Sequence, residues 1–259
     1  MKEDPVRRTA LARRRRARLV GVSLLLGAVI VAGLISPGGS GELPVDAPKQ
    51  PAIEKPPAAC EAKPPPAAQP RHYDSPERVL ERGVDYGAVI RTSCGDITVD
   101  LLEEKAPANV NSFVFLAREG FYDGLIWHRV EADSLIQTGD PNGTPGKEPD
   151  GPGYTIPDEY PAKDNKYVYG VVAMSNDMAG TDSGGSQFFI VIHKPIEGRP
   201  GSAPAGFRAD YSIFGRASRS SEETLDTIGG KKTPTQGVPA KAVKPIVPIY
   251  VESIEITED

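Results

Sequence analysis

Two stretches of the sequence carry polar residues of types that take part in binding or catalysis. An arginine, Arg129, and a glutamine, Gln137, lie eight residues apart on sequence that is typical of β-strands. Further along, Ser175 and Asn176 follow one short apolar run, and Gln187 opens the next. A guanidinium donates strong hydrogen bonds, although an arginine on a strand is more often solvated or ion-paired.

Other chemistries have less support in the sequence. Asp140 and Asp158 could form an acid–base pair, but solvated loop carboxylates are far commoner. The three histidines and two cysteines do not have the spacing of metal ligands. If residues 125–130 form a strand, His128 points to the face opposite Arg129, so we interpret this histidine as structural.

Short strands must position these side chains. Residues 170–174 and 188–192 are rich in β-branched and aromatic residues and too short for helices, so they predict two buried strands joined by a Ser- and Gly-rich loop. Residues 88–92 and 97–102 predict a hairpin with a glycine in its turn. Residues 125–130 predict a further strand.

Two helices and a bulged last strand complete the predicted domain. The first helix starts near Pro107 and ends at Gly120, whereas Ser220 and Glu223 have capping-box spacing at the start of the second. The apolar phase changes by one residue within residues 249–257, which indicates a β-bulge. Many short strands with two helices predict a β-rich domain, and antiparallel closure into a barrel would remove exposed edges.

The composition of the N-terminal segment predicts a membrane anchor. Residues 1–18 contain eight Lys or Arg and two acidic residues, and residues 19–35 are 17 uncharged residues. A helix of that length spans roughly 25 Å, near the short end for a bilayer. The basic flank predicts a cytoplasmic tail, a single transmembrane helix and a domain on the extracytoplasmic side of the cell membrane. A cleaved signal peptide is the alternative, but no A-x-A-like cleavage site follows.

Residues 36–72 are predicted to be a disordered linker, and the folded domain is predicted at residues 73–259. Ten prolines and almost no large apolar side chain leave the linker too little surface to bury. The net charge of the whole chain is −5, and residues 1–18 carry +6, so the remainder carries −11. A mildly acidic body argues against nucleic acid as a partner.

Five short fragments of the sequence together resemble a known protein family. They are, in order, WHR, IQTGD, GVVAMSN, GGSQFF and YSIFG. Each is weak alone, but their order and spacing over residues 86–257 resemble the cyclophilin family of peptidyl-prolyl cis-trans isomerases. The resemblance implies a mainly β fold, a closed eight-stranded antiparallel barrel capped by two α-helices, with substrate bound on the outer surface of the sheet. It also implies proline-containing polypeptides as substrates, no metal and no cofactor, and nothing in the sequence suggests more than a monomer.

The resemblance also implies a role for individual residues. Arg129 matches the catalytic guanidinium, Gln137 the side chain that contacts the substrate backbone, and Asn176 the residue whose backbone pairs with it. The other implied substrate-binding positions line the groove and the proline pocket: Ser134, Leu135, Ser175, Gln187, Phe189, Phe207 and Tyr211. Ser134 stands where the family usually has Phe, which predicts a looser pocket and weaker activity.

Two questions stay open at this stage. The domain could instead be a proline-peptide binding or chaperone module with weak or lost catalysis, or a tethered structural domain with a vestigial groove. The presence of both Arg129 and Gln137 favours the enzyme, because a binding module needs only the apolar pocket. If the domain faces an oxidising compartment, Cys60 and Cys94 could form a disulfide, and two free thiols are an equally supported alternative.

Overall fold

The computed structural model describes residues 60, 63–66, 71–143, 151–162, 167–177, 181–194, 210–233 and 244–259. The predicted tail and transmembrane helix, most of the predicted linker, and Phe207 lie outside these residues. Within them, neither helix has the length and apolar character that crossing a bilayer requires.

The described residues form eight strands and two α-helices. The strands are β1 (Tyr86–Thr92), β2 (Gly95–Leu101), β3 (Arg129–Glu131), β4 (Leu135–Thr138), β5 (Val171–Met174), β6 (Phe188–Val191), β7 (Ile213–Ala217) and β8 (Val251–Glu258). The helices are α1 (Pro107–Arg118) and α2 (Glu222–Gly229), the second preceded by a 3-10 turn at Arg219–Ser221. The mainly β character with two helices agrees with the prediction.

All eight strands belong to one antiparallel sheet with the order β3-β4-β6-β5-β7-β2-β1-β8. The end strands β3 and β8 are not joined by a continuous ladder. An isolated bridge between Ile126 and Tyr250 lies at this seam, and the Trp127 N–H donates to the Ile249 carbonyl at 2.9 Å. The predicted strand at 125–130 is therefore wrong in extent, since regular pairing begins only at Arg129. A closed barrel stays a prediction.

The β1–β2 hairpin forms as predicted. Thr92 lies opposite Gly95, whose φ of +119° is a conformation that favours glycine. The predicted bulge in the last strand is also confirmed, because the pairing of β1 with β8 shifts between Arg91 and Thr92. Their partners are Ser253 and Val251, so one β8 residue between these two is left over.

Cys60 and Cys94 form a disulfide in this structure, with 5.2 Å between their Cα atoms. Cys94 lies in the turn between β1 and β2, so the bond attaches a segment that precedes the domain to this hairpin.

The two helices agree with the sequence in their buried faces but not in every cap. Pro107 opens α1, and Gly120 follows its end with a φ of +64°. The predicted capping box at the second helix is wrong, because no side chain caps α2. Ser221, the residue before α2, instead accepts a hydrogen bond from the Thr98 N–H at 2.8 Å, and Ser220 bonds the hydroxyl of a neighbouring serine.

Alternation along the strands divides the apolar residues between two clusters on opposite faces of the sheet. The larger cluster includes residues of both helices together with Ile136 of β4 and Phe188 of β6. The smaller cluster includes Leu135 of β4 and Phe189 of β6. Because successive strand residues point to opposite faces, β4, β5, β6 and β7 each supply residues to both clusters, whereas the buried apolar residues of β1, β2, β3 and β8 lie in the larger cluster alone. The candidate site lies on the face of the smaller cluster.

Candidate functional site

The register of β3 and β4 places Arg129 directly opposite Gln137, and Glu131 directly opposite Leu135. Residues two apart on a strand share a face, so all four side chains lie on the side of the smaller cluster. The residue between them on β3, Val130, is buried in the larger cluster. The spacing of eight residues between Arg129 and Gln137 is therefore the spacing of a cross-strand pair in a short hairpin.

The guanidinium of Arg129 is held on two sides. Its Nη1 donates to Oε1 of Gln137 at 3.0 Å, whereas Nε and Nη2 donate to Oε1 of Glu131 at 3.0 and 2.8 Å. These bonds use three of the five N–H donors of an arginine, so two donors have no partner among the described residues. Sequence reasoning missed Glu131, although strand alternation alone places it on the face of Arg129.

Gln137 connects this pair to the neighbouring strands. Its Nε2 donates to Oε1 of Gln187 at 2.8 Å and to Oγ of Ser175 at 3.3 Å. Gln187 precedes β6 and Ser175 follows β5, and their backbones also meet, because the Ser175 N–H donates to the Gln187 carbonyl at 2.9 Å. The structure thus brings Arg129, Gln137, Ser175 and Gln187 into one network.

A glycine at the end of β4 allows this close approach. Gly139 has a φ of +92°, and a Cβ built there would lie 2.3 Å from the carbonyl oxygen of Ser186. The hydroxyl of Ser186 in turn donates to the Gly139 carbonyl at 2.7 Å. The segment before Gln187 can lie against β4 only because residue 139 has no side chain.

Apolar and aromatic side chains lie next to the polar network. Phe189, opposite Gln137 in the β4–β6 pair, meets the ring of Tyr211 edge to face at a centroid distance of 5.0 Å. Tyr211 is held by Tyr167, whose hydroxyl donates to the Tyr211 carbonyl at 2.7 Å and accepts from the Tyr211 N–H at 3.0 Å. Leu135 belongs to the same cluster. Tyr167 was missed because no local pattern relates it to a residue 44 positions away.

Asn176 uses its side chain for the structure of the loop that carries Tyr211. Its Nδ2 donates to the Asp210 carbonyl at 2.8 Å. The backbone N–H and C=O of Asn176 have no hydrogen-bond partner among the residues that the structure describes. A cavity of about 570 Å³ adjoins this region, lined in part by Gln187, Ser183 and Gly153.

Ser134 closes the turn between β3 and β4. Its N–H donates to the Glu131 carbonyl at 3.0 Å, and its own carbonyl accepts from the Ile192 N–H at 2.9 Å. The side chain is half-buried. Of the predicted site residues, Phe207 alone lies outside the described residues, so its predicted role in the proline pocket stays a prediction.

His128 is buried, with 1% of its surface exposed, in agreement with the structural interpretation. Burial, together with the positive charge of Arg129, lowers the pKa of this histidine to about 4. The imidazole is therefore neutral near pH 7. Among the described residues, no group of three or more His, Cys, Asp or Glu side chains could hold a metal ion.

Taken together, the fold and the site define a β-rich domain that presents a guanidinium on the same face of its sheet as the smaller apolar cluster. A model of the family described as cyclophilin type peptidyl-prolyl cis-trans isomerase/CLD matches residues 88–255, which is more than half of the chain. The chain belongs to this family.

Relatives and solved structures agree with that assignment. The chain is 45% identical over 103 residues to a Helicobacter pylori peptidyl-prolyl cis-trans isomerase, which covers 40% of this chain and 60% of that protein. It is 33% identical over 201 residues to a Streptococcus pyogenes protein whose name pairs a phosphatase with such an isomerase, which covers 70% of this chain and 41% of that protein. The chain thus spans less than two thirds of the length of either relative.

A crystal structure of a Cryptosporidium parvum cyclophilin type isomerase, determined in the presence of the dipeptide Ala-Pro, has the same fold. Its TM-score is 0.55 at 28% sequence identity, over 67% of this chain and 99% of that chain.

Proposed function

We propose that this protein is a peptidyl-prolyl cis-trans isomerase that uses Arg129 as its catalytic residue. The observation that carries the proposal is a guanidinium on the same face as the Phe189–Tyr211 pair, with two donors that no residue in the described part of the chain uses. Membership of the cyclophilin family, and the Ala-Pro dipeptide named with the Cryptosporidium structure, support proline-containing peptides as substrates.

Rotation about the peptide bond before proline requires a hydrogen-bond donor for the proline nitrogen and side chains that hold the proline ring. A peptide bond before proline rotates slowly, because the planar amide loses its double-bond character as it twists. In the twisted state the lone pair localises on the proline nitrogen, and a charged donor that reaches this nitrogen stabilises that state more than the planar ones. We assign this role to the unused N–H donors of Arg129. Phe189, Tyr211, Leu135 and Phe207 would hold the proline ring.

The polar groups of the groove would hold the rest of the substrate. The backbone N–H and C=O of Asn176, which no described residue pairs, would bond the substrate main chain. Gln137 would contact the substrate backbone while its amide stays in the network with Gln187 and Ser175. A 10⁴-fold acceleration needs about 5.5 kcal/mol, and one charge-assisted hydrogen bond contributes about 1.5–3 kcal/mol. Holding the substrate must therefore contribute a comparable amount.

The test is the exchange rate of an X-Pro test peptide with the full chain and with Arg129→Ala. We expect the substitution to lower kcat/KM at least tenfold, a loss of about 1.4 kcal/mol or more. Arg129→Lys is the matched control, because it keeps the charge but loses the planar fork of donors. Circular dichroism would verify that the variants fold.

Ser134 favours a second candidate, a proline-peptide binding module with weak catalysis. A serine at this position gives the proline pocket no aromatic wall from the β3–β4 turn. A protein that binds proline peptides but whose exchange rate does not change in Arg129→Ala would be such a module, and the isomerase proposal would fail.

We further propose that residues 19–35 anchor the protein in the cell membrane and that the domain acts on extracytoplasmic polypeptides. The basic residues 1–18 and the uncharged run after them support this proposal. Protease added to intact cells should then digest or release the domain. Full protection in intact cells, with digestion after lysis, would overturn it.

A further inference from the structure

Glu131 contacts the guanidinium of Arg129 from the side that the proposed reaction does not use. One carboxylate oxygen accepts from both Nε and Nη2, and Gln137 accepts from Nη1 at the other end of the group. A planar group gripped at its Nε side and at Nη1 cannot turn about its long axis without breaking a charge-assisted bond. The remaining N–H bonds of the two terminal nitrogens keep a fixed direction.

The position of Glu131 is itself fixed by the backbone. It lies two residues after Arg129 on β3 and opposite Leu135 on β4. Its carbonyl accepts the Ser134 N–H, so the tight turn begins at this residue. The backbone of Glu131 therefore keeps its position relative to that of Arg129 while the β3–β4 hairpin stays intact.

Partial burial of both side chains distinguishes this ion pair from the other Lys and Arg ion pairs in the described part of the chain. The side chains of Arg129 and Glu131 are 31% and 18% exposed, whereas those of Arg91 and Glu255, which also meet at 2.9 Å, are 46% and 60% exposed. An exposed pair is weakened by solvent screening and by the entropy of two mobile side chains. The pair at Arg129 is better sheltered from both effects.

We propose that Glu131 is a positioning residue, which orients the catalytic guanidinium of Arg129 toward the substrate. This inference rests on the proposed isomerase function. Glu131 does not touch the substrate. Its removal therefore lowers the rate at which the bound substrate isomerises and leaves the affinity for proline peptides unchanged. In this network, Glu131 and Gln137 orient the guanidinium of Arg129, and Gln187 in turn orients the side chain of Gln137.

The experiment compares Glu131→Ala and Glu131→Gln in the full 259-residue chain. We expect Glu131→Ala to lower kcat about fivefold with KM unchanged, because small displacements of a catalytic group are costly. Glu131→Gln should recover most of the loss, since an amide oxygen still accepts from Nε and Nη2. Glu255→Ala, which breaks the exposed pair with Arg91, is the matched control and should leave the rate unchanged.

A double-mutant cycle separates positioning from general structural damage. In an Arg129→Ala background, Glu131→Ala should change the residual rate by less than about twofold, because there is no guanidinium left to orient. An equal loss in both backgrounds would overturn the proposal, and so would an unchanged or increased kcat in Glu131→Ala alone.

The outcomes also separate this inference from the proposed function. Activity that depends on Arg129 but not on Glu131 would overturn only the positioning role. A wild-type chain without exchange activity, or one whose activity is unaffected by Arg129→Ala, would overturn both.

Discussion

Replacing the buried His128 should change how the stability of the domain depends on pH. The ring is 1% exposed, and burial, Arg129 and Lys244 lower its pKa to about 4. In the unfolded chain the same ring titrates near its ordinary value of about 6.5. Between these values the unfolded chain binds a proton that the folded protein does not bind, so the free energy of unfolding falls as the pH falls.

The size of this effect follows from the two pKa values. The contribution of His128 is fully present above about pH 6.5 and is lost at about 1.4 kcal/mol per pH unit on the way down to about pH 4. The loss is therefore about 2 kcal/mol at pH 5 and about 3 kcal/mol at pH 4. For a domain of ordinary stability this is a large fraction of the whole.

Urea denaturation at pH 7 and pH 5 measures the effect. The difference in free energy of unfolding between the two pH values should be about 2 kcal/mol smaller in His128→Gln than in the wild type, because glutamine does not titrate. Carboxylates that titrate in both proteins cancel in this comparison. His72→Gln, at an exposed position, is the matched control for the His-to-Gln substitution itself. If wild type and His128→Gln differ by less than about 0.5 kcal/mol, the ring titrates alike in both states and the reasoning is wrong.

Two further predictions follow from the disulfide and the pocket. Reducing the Cys60–Cys94 bond, which joins residues 34 positions apart, should lower the free energy of unfolding by about 4 kcal/mol on the chain-entropy model. Urea denaturation with and without reductant measures this loss, and a Cys60→Ser/Cys94→Ser variant that does not respond to reductant is the control; an unchanged midpoint in the wild type would contradict the prediction. Ser134→Phe should raise kcat/KM for X-Pro peptides about fivefold, because about 1 kcal/mol of apolar burial is added beside Leu135. Ser134→Ala controls for the loss of the hydroxyl, and a phenylalanine variant no faster than the alanine variant would refute the idea.

Features that depend on neighbouring residues could be predicted from the sequence. The β1–β2 hairpin follows from two apolar runs around Gly95, and the bulge follows from the change of phase in the last strand. The cap of α2 could not be predicted in this way. The hydroxyl of Ser221 bonds the backbone of Thr98, 123 residues earlier, and such a contact overrides the local preference for a capping box.

In the candidate site, too, contacts within one hairpin could be predicted from the sequence, whereas contacts between distant segments could not. Arg129 and Gln137 are a cross-strand pair within one hairpin, so their spacing already indicates that they meet. Glu131 could have been found by the same alternation, but a second charge on a strand is usually a solvated one. Tyr167 and the Asn176–Asp210 contact join segments that only the complete sheet brings together, and no sequence pattern indicates them.

The disulfide between Cys60 and Cys94 also determines where a mechanical load would enter the domain. A pull on the chain before residue 60 passes through the sulfur bridge into the turn between β1 and β2, because that path is shorter than the intervening chain. In the order of the sheet, β5 and β7 separate the loaded hairpin from β6, β4 and β3. Tension along the N-terminal chain would therefore enter the sheet at the β1–β2 hairpin, which carries none of the groove residues.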